Sequence, residues 1–250
     1  MSRIKFMNIE IDNLTMSETL QEIDQLIQEK KSSYVVTPNV DHIVQLEKNK
    51  ELQEVYKNAS LILTDGKPLL WIARWYGTPI KEKISGSDLF PHLCEMAARK
   101  GYRMFFLGAA EGIAEKAAEK LKKRFYGLQV VGTYSPTFGF EENEEEMRKI
   151  KLMIKKVSPD ILIVGLGCPK QEKFMYHYCK DLEVPISLGL GASFDFEAGN
   201  IKRAPRWMAN HGLEWLFRIT QDPKRLAKRY LIDDTKIVKL VIKYKRNKQA

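Results

Sequence analysis

ILIVGLGCPKQEKF (Ile161–Phe174) and ISLGLGASFDFEAGN (Ile186–Asn200) each run from a short aliphatic block into a pair of closely spaced glycines. A strand that ends on glycine and gives way to helix-length sequence is the repeating unit of a parallel α/β sheet. Directly behind the second block comes IKRAPRWMANHGLEWLFRI (Ile201–Ile219), dense in cations and aromatic rings. Together the three segments predict a nucleotide pocket beside a membrane-facing tail.

The same alternation extends upstream. Strands are expected at Tyr34–Val36, Leu61–Thr64, Arg103–Leu107, Gln129–Thr133, Asp160–Leu166 and Pro185–Leu190. Amphipathic, helix-length runs separate them: Val40–Asn58, Pro68–Tyr76, Ser87–Lys100, Glu111–Phe125, Glu142–Val157 and Lys170–Leu182. The fold class that follows is α/β, a Rossmann-like and mainly parallel sheet with helices on both faces, plus a basic helical C-terminal appendage. Residues 1–200 form the body with the cleft, and residues 201–250 form the appendage.

Ligands of such sheets bind beyond the carboxyl ends of the strands. Those ends carry Thr37-Pro38-Asn39, Asp65-Gly66, Gly108-Ala109-Ala110, Gly165-Leu166-Gly167 and Gly189-Leu190-Gly191. Glycines there, including Gly66, Gly108 and Gly167, let backbone approach a ligand and leave helix N-terminal N–H groups facing phosphate. Asp65 has two readings: a general base whose proton affinity is raised by partial desolvation, or the N-cap of the helix at Pro68. Thr37 and Asn39 are either turn residues or ligand contacts. Lys170 opens a helix, where a cation opposes the helix dipole, and this favours a ligand for it. FFLGAAEG and GLGCPK lack a complete GxGxxG, which disfavours a dinucleotide-dependent oxidoreductase.

Composition narrows the partners. The 250 residues carry a formal charge of +9, yet residues 201–250 hold 14 Lys+Arg against 4 Asp+Glu, leaving 27 basic and 28 acidic residues in the remainder. The body is neutral and the appendage is basic. Within it, Ile237, Leu240, Val241 and Tyr244 fall at i, i+3, i+4 and i+7, beside Lys236, Lys239, Lys243 and Arg246. That pattern is expected of an interfacial helix on an anionic membrane. A nucleic-acid partner is disfavoured, because no RNP, KH or zinc-finger signature accompanies the charge. No apolar run approaches the roughly 18 residues of a membrane span, and the N-terminus lacks a signal-peptide core, so a cytoplasmic protein is expected. Cys94, Cys168 and Cys179 make no CxxC, and His42, His92, His177 and His211 show no paired spacing. With no Asp-x-Asp either, no metal and no other cofactor are expected, and basic side chains with helix N-termini are left to neutralise phosphate. A nonenzymatic nucleotide- or RNA-binding module is the alternative reading.

TPN (37–39), TDGKPLLWIARWYGTP (64–79), ISGSDLF (84–90), FFLGA (105–109), GLGCPKQEKF (165–174), GASFDFEAG (191–199) and KRAPRWMANHGLEWLFRI (202–219) occur in one order along nearly the whole chain. In this the sequence resembles the bacterial WecG/TagA/CpsF glycosyltransferases. The resemblance implies transfer of a sugar, typically N-acetylmannosamine or its uronic acid, from a UDP donor to a polyprenyl-diphosphate-linked acceptor at the cytoplasmic membrane face. Products of that family enter teichoic-acid linkage units, common antigen, capsule or exopolysaccharide. It further implies Asp65 as general base of an inverting displacement, and Thr37 and Gln171 as positions that hold substrate hydroxyls. Asn39 is implied beside them and Asp195 near the nucleoside. Lys83 stands where the family has an arginine against the leaving diphosphate. Arg218, Arg225 and Lys228 match basic positions of the appendage, Lys228 again where arginine is usual, with Arg229 adjacent. Family members also self-associate, so a homo-oligomer is possible.

Overall fold

Two short strands at the N-terminus, β1 (Arg3–Phe6) and β2 (Ile9–Asp12), form an antiparallel hairpin. The computed structural model describes residues 3–249, without the side chains of Arg206, Asn210, Arg225 and residues 247–249. Buried Asp12 ties the hairpin down: its carboxylate accepts from Arg3 Nε at 3.0 Å and from the Ile62 N–H at 2.8 Å. Next comes α1 (Met16–Glu29), opened by a capping box between Thr15 and Glu18. Neither element is among the sequence expectations.

All six expected strands are present: β3 (Ser33–Val36), β4 (Leu61–Ile62), β5 (Arg103–Gly108), β6 (Gln129–Tyr134), β7 (Ile161–Gly165) and β8 (Ile186–Gly189). They form one parallel sheet in the order β4-β3-β8-β7-β5-β6. The helices follow as expected with one exception. The run over Val40–Asn58 is two helices, α2 (Val40–Leu46) and α3 (Lys50–Lys57), because Asn49 caps a fresh start by accepting from the Leu52 N–H at 3.0 Å. The body is completed by α4 (Lys67–Trp75), α5 (Gly86–Lys100), α6 (Ile113–Arg124), α7 (Glu144–Val157), α8 (Lys170–Leu182) and α9 (Ser193–Ala198).

Neighbouring strand residues alternate between two cores, as the pleat requires. Tyr34, Val36, Phe105, Leu107, Leu162 and Val164 pack with α2, α3, α4, α7 and α8, whereas Val35, Leu61, Met104, Phe106, Ile161 and Ile163 pack with α1, α5, α6 and α9. With both faces covered, chemistry is confined to the strand ends. Gly108 shows how tightly those ends are set. It has φ +116°, and a Cβ on it would sit 2.5 Å from the Gly165 carbonyl oxygen.

Beyond residue 200 the chain forms α10 (Arg206–Asn210), α11 (Glu214–Gln221), α12 (Pro223–Lys228), a π turn over Arg229–Asp233, a 3₁₀ turn over Asp234–Lys236 and α13 (Ile237–Gln249). Here one expectation is corrected. Ile237, Leu240, Val241 and Tyr244 do not face a membrane; they pack on the core beneath α2 and α4. Tyr76 Oη donates to the Val241 carbonyl at 2.7 Å, and Tyr244 Oη donates to Glu47 Oε2 at 2.9 Å, so this stripe is fastened to the body. Among the described residues no helix is long and apolar enough to cross a membrane.

Candidate active site

The carboxyl ends of β3, β4, β7 and β8 open into a cavity of about 1120 Å³. The body supplies Thr37 and Asn39, Asp65 and Gly66, Lys83, and the Gly165–Gln171 and Leu190–Ser193 turns; the appendage closes the other side with Glu214, Trp215, Arg218, Arg229 and Tyr230. Parallel registry puts these turns in line, and that is how residues over 100 positions apart come to share one space.

Asp65 follows β4 and is half-buried; its N–H donates to the Pro38 carbonyl at 2.9 Å. It caps nothing: the N-cap of α4 is Gly66, at φ +101°, with no side-chain cap. Among the described residues its carboxylate accepts no hydrogen bond, and burial pushes its pKa up to about 6, opposed by Lys83 and Arg218 and reinforced by Glu214 and Asp88. A carboxylate so placed is a competent general base near neutral pH. Lys83 lines the same cavity and holds Asp88 at 2.7 Å. Burial opposes its charge, but Asp88, Asp65 and Glu214 more than compensate and raise its pKa, which keeps it cationic.

A buried hydrogen-bonded chain braces the floor. Thr37 Oγ1 donates to the Gly189 carbonyl at 3.1 Å. Gln171 Nε2 donates to Glu172 Oε1 at 2.8 Å, while its Oε1 accepts from the Gly191 N–H at 3.0 Å. His42 Nε2 lies 3.2 Å from the same Glu172 oxygen. Burial works against a charged His42, yet Cys168 and Glu172 hold its pKa well above the ordinary value. Sequence reasoning passed over His42 and Glu172. The usable signal was the Asn39-x-x-His42 spacing, since Asn39 caps α2 and His42 closes the box.

The structure brings together Asp65, Thr37, Lys83, Gln171, Asn39, Gly66, Gly167, Lys170 and Arg218 on the cavity wall. Lys170 stands at the rim, paired with Glu141 at 3.0 Å and with its Nζ 4.4 Å from the Phe138 ring centroid. Three of the expected residues stand apart from this wall. Gly108 is not on the wall; its lack of a side chain serves the contact with Gly165. Asp195 is not there either, because Ser193 and Phe196, three residues apart on α9, present the face that is. Lys228 is exposed and off the cavity, and its neighbour Arg229 is the cation that lines it. Arg225 lies, by its side chain, outside the described residues. Glu214, Trp215 and Phe196 are wall residues that lie inside the quoted motifs without having been singled out, and Tyr230 lies outside any of them.

One grouping has the donor types of a metal site: Asp41, His42 and Cys168 bring ligand atoms within 4.8 Å of one another. Each already has a protein partner, Asp41 in Arg229, the His42 ring nitrogens in Asn39 and Glu172, and Cys168 in Gln45 Nε2 at 3.4 Å.

A cavity with a proton-acceptor carboxylate, surrounding cations and a basic lid is suited to group transfer from a phosphorylated donor. Comparison with known proteins gives the same class. The sequence profile of the WecG/TagA/CpsF glycosyltransferase family matches residues 4–250. An N-acetylglucosaminyldiphosphoundecaprenol N-acetyl-β-D-mannosaminyltransferase of Bacillus spizizenii is 32% identical over 220 residues, covering 88% of this chain and 82% of its own. Proteins of the same name from Bacillus subtilis and Staphylococcus aureus are 30% identical over 224 residues and 26% identical over 231. The chain is a glycosyltransferase and belongs to the WecG/TagA/CpsF family.

Proposed function

We propose that this protein transfers N-acetylmannosamine from its UDP conjugate to a polyprenyl-diphosphate-linked N-acetylglucosamine, with inversion and without a metal. The observation that carries the reading is Asp65, a carboxyl with a pKa of about 6 on a cavity wall that also carries Lys83 and Arg218. The acceptor and the sugar are those that the relatives' name states, and UDP is the donor that the family implies.

In the transfer, Asp65 takes the proton of the acceptor hydroxyl as its oxygen attacks the anomeric carbon. The bond to the β-phosphate oxygen breaks, and UDP leaves with the electron pair. A single displacement turns an α-linked nucleotide sugar into a β-linked product. Lys83, Arg218 and Arg229 oppose the charge that grows on the diphosphate, the role a divalent metal fills in other transferases. Arg229 lines the cavity beside Arg218 and Lys83. Gln171 and Thr37 are held by Gly191, Glu172 and Gly189, so their contribution is to fix the wall against which the sugar is oriented.

A lipid-linked acceptor stays in the bilayer, so the enzyme works from the cytoplasmic surface as a peripheral protein, attached through the basic appendage. Release of UDP with and without the acceptor analogue, in buffer with and without EDTA, tests the reading. Acceptor-dependent release that survives EDTA supports it, and release abolished by EDTA overturns the metal-free part.

A further inference from the structure

We propose that the protein meets the bilayer through a stripe shared by two helices, Trp71 and Trp75 of α4 in the body with Val238, Ile242 and Lys245 of α13. The inference rests on the reading that the acceptor is a membrane lipid, and it names the surface that reaches it.

The stripe is what remains once α13 has docked. Its Ile237, Leu240, Val241 and Tyr244 are used on the core, which leaves Val238 and Ile242 exposed at 59% and 49%. Val238, Ile242 and Lys245 recur at i, i+4 and i+7, so they share one face. On α4, Trp71 and Trp75 are one turn apart and each 53% exposed. One contact joins the two helices, and a second ties α4 to the turn after α10. Lys245 Nζ lies 3.5 Å from the Trp75 ring centroid, and Trp71 lies so close to the turn after α10 that a Cβ on Gly212 would be 2.5 Å from its ring.

Both ends of the stripe touch the active-site cavity, since Gly212 and Val238 line it. A lipid whose tail lay along the stripe would deliver its head group at the cavity mouth. Charge selects the occupant. Neither α4 nor α13 contains an acidic residue, and the two helices also carry Lys67, Arg74, Lys239, Lys243 and Arg246. Tryptophan with lysine and arginine around it is the composition of an interfacial anchor on anionic lipid. A hydrophobic protein partner would not call for two helices without an acidic residue.

The test uses the full chain with vesicles of phosphatidylcholine containing phosphatidylglycerol. Sedimentation with vesicles should show at least a tenfold loss of partitioning for the Trp71→Ala/Trp75→Ala protein and a comparable loss for Ile242→Asp. Wild-type tryptophan fluorescence should be quenched by vesicles with brominated acyl chains, and the quenching should be largely lost in the double variant. Turnover of a short-chain, water-soluble acceptor analogue should stay within about threefold, which shows that the variants are folded and separates this proposal from the catalytic one. Unchanged partitioning in both variants overturns the stripe. Wild-type self-association in sedimentation velocity without lipid, abolished by the same variants, also overturns it and assigns the surface to a second copy. Vesicle binding through the stripe without turnover of any acceptor would sustain the surface and sink the function.

Discussion

Arg229 reaches from the appendage to the start of α2, where its Nη2 donates to Asn39 Oδ1 at 3.1 Å. The same nitrogen lies 3.4 Å from Asp41 Oδ2, and Arg229 Nε lies 4.0 Å from Asp234 Oδ2. The appendage is thereby latched to the body at the cavity, by a cation that substrate phosphate would also attract. Lys228, one residue earlier, makes no such approach.

Arg229→Ala should therefore lower kcat/KM for the UDP-sugar by ten- to a hundredfold, the scale of losing one charged contact to a phosphate. Lys228→Ala should stay within threefold. Steady-state kinetics on the two variants decides it, and a larger loss at Lys228 would reverse the assignment.

Asp65 carries a cost to stability that its function explains. Its pKa is raised from 3.8 to about 6, so the folded state prefers the protonated acid. Below pH 3.8 both folded and unfolded forms are protonated and there is no penalty. Between pH 3.8 and 6 the penalty grows, and above pH 6 it is complete, with an upper bound on the order of 3 kcal/mol. Asp65→Asn should raise Tm at pH 7.5 and lose that advantage near pH 4. Thermal melts at the two pH values check the sign.

Lys83→Ala should reduce kcat by 10²- to 10³-fold, as removal of one preorganised charge beside a developing anion does. In the wild type Lys83 lowers the pKa of Asp65 by less than burial raises it, because the lysine only opposes the larger effect of desolvation. Removing Lys83 takes away that opposition, so the acid limb of the pH–rate profile should move upward. A limb that moves down would contradict the geometry.

Gly108→Ala is a structural test. The new Cβ would collide with the Gly165 carbonyl and sit on a residue at φ +116°. A loss of stability of about 2 kcal/mol or more is expected from denaturant unfolding, since backbone must move on two strands.

Much of this was legible in the residues. Strand ends such as Thr37 and Asp65 are set by local sequence, and the parallel order that aligns them follows from the βα alternation. The N-terminal hairpin escaped because its strands are four residues each and depend on Asp12 reaching Ile62. The stripe on α13 was read correctly as an apolar face but given the wrong cover, because periodicity marks a face without saying whether core or lipid meets it. Lys228 and Asp195 show the same limit at finer scale. A step of one residue turns a side chain by about 100° around a helix, which moves a matched position off the cavity and its neighbour onto it.

The most direct measurement is UDP release from UDP-N-acetylmannosamine, with a polyprenyl-diphosphate N-acetylglucosamine analogue as acceptor, followed from pH 5 to 8 for the wild type and Asp65→Asn. Acceptor-dependent release whose kcat/KM climbs through about pH 6 and levels off, and which falls by at least a thousandfold in Asp65→Asn, is the expected result. An Asp65→Asn protein that retains turnover, or a rate indifferent to pH across that range, would show that Asp65 is not the base.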